Sequence, residues 1–188
     1  IRDSYGTAQG TFKRYGDVEA ADYVMSNTGL YEKDMSFRLG LNRFNYGIEG
    51  YFSYFNTEIG ILRSSHAHGA ADQIRAIESD LPLTVREFTY DIGYPKQNVT
   101  HQLNRIKAFK NLGDYTLELQ YDYQLNRRFE YDIRVGNDRD KPALDLKLDT
   151  HTILIDLNGS LANFNFKSGI MGRFQTNLAN PDTGVRRL

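Results

Sequence analysis

The chain has 188 residues, with 23 Lys and Arg against 24 Asp and Glu and a net charge of −1. That balance leaves no basic field to hold a nucleic-acid backbone, and the absence of cysteine removes disulfide frameworks, thiolate metal sites and cysteine nucleophiles. No run of about 18 apolar residues is present to make a membrane helix; the mean hydropathy of −0.57 suits a soluble protein and equally a transmembrane β-barrel, in which half of every strand faces water.

Strands are expected near 4–14, 31–43, 46–62, 98–110, 115–135, 143–157 and 161–175. In the second of these, Met35, Phe37, Leu39 and Leu41 alternate with Ser36, Arg38, Gly40 and Asn42, the period of two of a strand with unlike faces. Between the third and fourth, Ala71, Ile74 and Ile77 stand three apart and predict one short amphipathic helix in 70–79, stopped before Pro82.

The strongest signal runs from Tyr115 to Val135. Its odd positions are apolar or aromatic except Arg127, and its even positions, Thr116 through Arg134, are all polar. Unbroken, such a strand reaches roughly 70 Å, far beyond the usual 5–6 residues or so and the 9–11 or so of a bilayer crossing. A large barrel whose strands continue past the membrane to carry external loops needs that length. Leu144, Leu146 and Leu148 then alternate with Asp145, Lys147 and Asp149.

All four prolines, at 82, 95, 142 and 181, fall between these spans, as the loss of a ladder donor requires. The connections alternate in length. Those at 43–45, 111–114 and 158–160 are short, and those at 15–30, 63–97 and 136–141 are longer. Short periplasmic turns and long external loops have this arrangement in up-and-down membrane barrels. Single-chain bacterial barrels have even strand numbers, so seven strands imply either a section of a larger barrel or a miscounted small one of about eight.

Particular stretches carry more than pattern. Phe52-Ser53-Tyr54-Phe55-Asn56-Thr57-Glu58-Ile59-Gly60-Ile61-Leu62-Arg63-Ser64-Ser65-His66, then Phe88-Thr89-Tyr90-Asp91-Ile92-Gly93-Tyr94-Pro95 through Val99-Thr100-His101, resemble a barrel strand, its external loop and the return in TonB-dependent outer-membrane receptors. Glu130-Tyr131-Asp132-Ile133-Arg134, Pro142-Ala143-Leu144-Asp145-Leu146 and Thr150-His151-Thr152 resemble the next loop with its flanking strands. Gln175-Thr176-Asn177 with Asn180-Pro181-Asp182-Thr183-Gly184-Val185-Arg186 resembles a third. The stretches keep the family's order over residues 20 to 188.

The resemblance implies an all-β, antiparallel, up-and-down transmembrane β-barrel of about 22 strands, of which this chain supplies about seven. No stretch resembles the family's plug, and Arg187 stands where proline is expected, so the chain reads as a piece of barrel lacking plug, signal peptide and final strands. The family's location is the outer membrane of a Gram-negative bacterium. Its activity is active uptake of a scarce ligand (a ferric siderophore, haem, a vitamin or a glycan), driven by the periplasmic protein TonB through the plug. The expected partners are thus TonB, outer-membrane lipid and the extracellular ligand, with no cofactor and no enzymatic role.

Candidate ligand contacts in the long loop are Arg63, His66, His68, Asp72, Tyr90, Asp91 and Tyr94, of which the imidazoles and carboxylates suit an iron chelate. The competing reading is a solvated polar loop. Asp145, Lys147, Asp149 and His151 share one strand face and are expected to face the lumen, whereas Leu119 is expected to face lipid and Glu118 the lumen. Ser65 and His66 do not suggest a hydrolase: neighbours on a strand point to opposite sides, and no Gly-x-Ser-x-Gly elbow occurs. Two other architectures compete with the receptor, a soluble β-barrel or sandwich binding a small apolar ligand and a small closed outer-membrane barrel.

Overall fold

The structure, a computed structural model, describes residues 3–63, 69–133, 140–161 and 164–180. Its strands are β1 (Asp3–Tyr15), β2 (Val18–Glu19), β3 (Val24–Met25), β4 (Leu30–Asn42), β5 (Tyr46–Gly60), β6 (Lys96–Leu112), β7 (Tyr115–Tyr131), β8 (Leu144–Leu161) and β9 (Phe164–Asn180), with one helix, α1 (Ala70–Glu78). β2 and β3 pair with each other, and the rest form one seven-stranded sheet in the order β1-β4-β5-β6-β7-β8-β9. Every pairing is antiparallel and joins strands consecutive within that sheet. The fold is therefore an all-β meander. Among the described residues, β1 and β9 each pair on one side only.

The seven expected long strands are present, and α1 occupies the span that its three-residue spacing indicated. Most ends agree to within about two residues, the last strand runs on to Asn180, and two differences have a clear physical cause. The strand expected to run to Val135 ends at Tyr131, because both flanking strands begin just after a proline: Lys96, next to Pro95, is the partner of Tyr131, and β8 starts at Leu144, past Pro142. Proline cannot donate to a ladder. The turn expected at 158–160 lies inside β8 instead, where Gly159 is opposite Tyr115 and Phe166. A Cβ on Gly159 would stand 2.4 Å from the Tyr115 ring, so this glycine makes room for an aromatic neighbour and does not turn the chain.

Register gives the sheet two distinct faces, since directly opposed residues share a side. On one face a row runs Ser4, Leu41, Ile48, Ala108, Leu119, Ile155, Ile170, and the next runs Gly6, Leu39, Gly50, Ile106, Tyr121, Ile153, Gly172. A third row, Ala8, Phe37, Phe52, Asn104, Tyr123, His151, Phe174, is mainly aromatic. None of the three holds a Lys, Arg, Asp or Glu. On the other face the row at the same height reads Thr7, Arg38, Tyr51, Arg105, Asp122, Thr152, Arg173.

Among the described residues nothing covers the apolar face. Leu39 is 70% exposed and Leu119 46%, and among the described residues no hydrophobic side chain is buried. The accessible surface is 13247 Å², against roughly 9,000 Å² for a compact monomer of this mass. Each uncovered Leu, Ile or Phe forgoes about 1.5–3 kcal/mol of burial.

Candidate functional site

The long connections gather at one end of the sheet, opposite the tight β6–β7 turn, where Gly113 takes φ 67. Their anchor is polar. Asp17, Ser26 and Asn27 are buried there, and the Asp17 amide donates to the Thr89 carbonyl at 3.0 Å. The Thr28 amide donates to Asp17 Oδ1 at 2.9 Å, and the Thr28 hydroxyl donates to the Met25 carbonyl at 2.7 Å.

The loop candidates divide between two places. Tyr90 and Asp91 come to Arg14 near the end of β1: its guanidinium carbon lies 5.4 Å from the Tyr90 ring centroid and a terminal nitrogen 3.7 Å from Asp91. Phe88 meets Tyr90 edge-on at 5.1 Å. Tyr94 lies instead over the start of β6, its hydroxyl donating to Asp140 at 2.8 Å and its ring 5.8 Å from that of Tyr131. There Lys96 Nζ stands 5.2 Å from the Tyr94 ring and 5.6 Å from the Tyr131 ring, while pairing with Glu58 at 3.0 Å.

Asp72 is engaged with Arg75 one turn along α1, and the Arg63 amide donates to the Ser26 carbonyl at 3.4 Å. His66 and His68, with Ser64 and Ser65, lie outside the described residues. Among the described residues no cluster of three or more His, Asp or Glu side chains is placed to hold a metal. Arg14, Lys96 and Tyr131 complete these clusters. Sequence inspection missed them, because each meets its partners only through the fold.

The residues Asp145, Lys147, Asp149 and His151 lie on one face, and it is not the face of Glu118. Register sets these residues opposite Phe129, Arg127, Leu125 and Tyr123, on the face of Leu119 and away from Glu118. They cannot share the Glu118 side. The cause is a change of phase within β8: Leu144, Leu146 and Leu148 lie on the polar face, whereas Ile153, Ile155 and Leu157 lie on the apolar one, with pairing to β7 unbroken between them. Alternation read from 144–149 alone therefore does not carry over to 153–157.

On that face the row continues the apolar band into polar ground. Arg127 holds Asp145 with two nitrogens at 3.2 and 2.9 Å, and Lys147 pairs with Asp149 at 2.9 Å. The Tyr123 hydroxyl donates to Asp149 at 2.8 Å. Within the band's last rows, Tyr121 Oη and His151 Nδ1 are 2.8 Å apart, and the imidazole lies 5.0 Å from the Tyr123 ring and 6.4 Å from that of Phe174. Such rings, apolar in body and polar at the tip, suit a boundary between apolar and aqueous surroundings.

The opposite face carries an ion-paired network. Arg105 Nε donates to Asp122 at 2.7 Å, Gln120 donates to the same carboxylate at 2.9 Å, and Lys107 pairs with Glu118 at 2.9 Å. Tyr5 donates to Glu49 at 2.6 Å, and Arg38 lies 3.9 Å from Glu49 and 5.3 Å from the Tyr51 ring centroid. The sheet thus carries ion-paired chemistry on one face and an apolar band on the other.

Comparison with protein-family models, with characterised proteins and with solved structures finds no match to this chain.

Proposed function

We propose that the chain is part of the wall of an outer-membrane β-barrel, belonging to a receptor of the TonB-dependent kind that takes up a scarce extracellular ligand. One observation carries the reading: an antiparallel meander exposes a charge-free band on one face, turns an ion-paired face the other way, and has no buried hydrophobic residue among those described. Lipid would cover the band from Ser4–Ile170 to Ala8–Phe174, and the Arg105–Asp122 side would line the lumen. Short turns at one end and long connections at the other agree with periplasmic and external sides. The stretches that resemble the receptor family support active uptake in particular, with TonB acting through a plug. A soluble binder would need a core to close around, and no hydrophobic side chain among the described residues is buried.

The chain has no cysteine, so single cysteines can be introduced along β7 and β8 and labelled with a fluorophore. In vesicles containing nitroxide-labelled lipid, labels on Leu117→Cys, Leu119→Cys and Ile155→Cys are expected to be quenched, and those on Glu118→Cys and Gln120→Cys to stay bright. Equal quenching of both sets removes the proposal.

A further inference from the structure

We infer that Asn27 is a positioning residue that fastens the segment 84–95 as a preformed strap over the ends of β1, β4 and β5. This goes beyond the transport reading and does not depend on it. The Asn27 side-chain amide nitrogen donates to the Ile61 carbonyl at 2.8 Å and to the Pro95 carbonyl at 2.7 Å, and its Oδ1 accepts the Gly93 amide at 2.7 Å. One side chain thus joins the outgoing limb of the long loop, at 61, to its returning limb, at 93–95. The limbs also meet directly, the Ile61 amide donating to the Pro95 carbonyl at 3.0 Å.

Few other residues can fill this place. Asn27 has φ 65, in the left-handed region that Asn tolerates and most side chains avoid. Glycine adopts that backbone but offers no side chain, and aspartate lacks the two donors. The fit is close on the backbone side as well: a Cβ on Gly60 would stand 2.4 Å from the Asn27 carbonyl oxygen. Asn27 is 5% exposed and Pro95 is buried beside it. A polar residue so enclosed, with three bonds made, is costly to leave unsatisfied.

The strap has further polar ties. Ser26 Oγ reaches the Thr84 carbonyl at 3.4 Å, and the Asp17 amide reaches the Thr89 carbonyl at 3.0 Å. Apolar packing does not replace them, for Leu83, Val85, Phe88 and Tyr90 all remain exposed. Segment 84–95 is therefore held mainly by hydrogen bonds that converge on residues 17–28, and Tyr90 and Asp91 are presented on a fixed support.

The test is hydrogen exchange on the full-length protein in detergent micelles. In Asn27→Gly, which keeps the backbone conformation and deletes all three bonds, the amides of Gly93, Ile61 and Asp17 are expected to exchange at least about tenfold faster, with the β6–β7 ladder unchanged. Unchanged protection at Gly93, or acceleration at Gly93 alone, overturns the inference. So does acceleration that extends to the β6–β7 ladder, which would make Asn27 part of the sheet's general stability. The unmodified protein gives an independent check: the three amides should open with a common rate and denaturant dependence, and three separate behaviours refute a single fastening.

Discussion

Leu119 and Glu118 are adjacent in the chain and face unlike surroundings. Leu119 stands between Ala108 and Ile155 on the apolar face, and Glu118 pairs with Lys107 on the other. If lipid covers the first face, Leu119→Arg places a charge near mid-bilayer and costs about 2–4 kcal/mol. Glu118→Gln gives up a partly exposed ion pair worth about 0–1 kcal/mol. Urea titration of both variants in lipid vesicles measures the difference. Equal losses, or a larger loss for Glu118→Gln, contradict the assignment of faces.

At the scale of the element, the hairpin of β7 and β8 depends on Gly159 beside Tyr115. Gly159→Ala would set a methyl 2.4 Å from the Tyr115 ring and 3.1 Å from the Asp114 carbonyl oxygen, an overpacking expected to cost about 1–3 kcal/mol. Tyr115→Ala in the same chain should recover part of that loss, as a double-mutant cycle would register; additive losses would place the strain elsewhere. The same hairpin shows what was legible in advance. Alternation over Tyr115–Tyr131 identifies β7 because one side is apolar or aromatic almost throughout, but Asn158-Gly159-Ser160 has the chemistry of a turn and lies inside β8. Ladder pairing on both sides of β8 outweighs that local preference. The facing of Asp145 to His151 was not legible, because β8 changes phase partway and only the register with β7 shows which leucines lie on which side. Of the loop candidates, Tyr90, Asp91 and Tyr94 were found by residue type, while their partners Arg14, Lys96 and Tyr131 lie far away in sequence. Asn27 gave no signal, since its role arises from three backbone groups between 34 and 68 residues away.

For the whole molecule, the proposed receptor predicts a polypeptide several times larger than 21.6 kDa in a washed outer-membrane fraction, detected with an antibody against residues 69–95. A band at 21.6 kDa would leave no room for a plug, and coupling to TonB would be withdrawn in favour of a small barrel. That no hydrophobic side chain is buried among the described residues has a further consequence for how such a wall comes to exist. A chain that buries no apolar side chain within itself gains little from collapsing in water, so if lipid supplies the missing cover, folding and insertion are one event. Before that event the polypeptide would cross the aqueous periplasm unfolded, with Leu39, Leu119 and Ile170 available to aggregate, and its yield would depend on chaperones that hold it soluble until a membrane is reached.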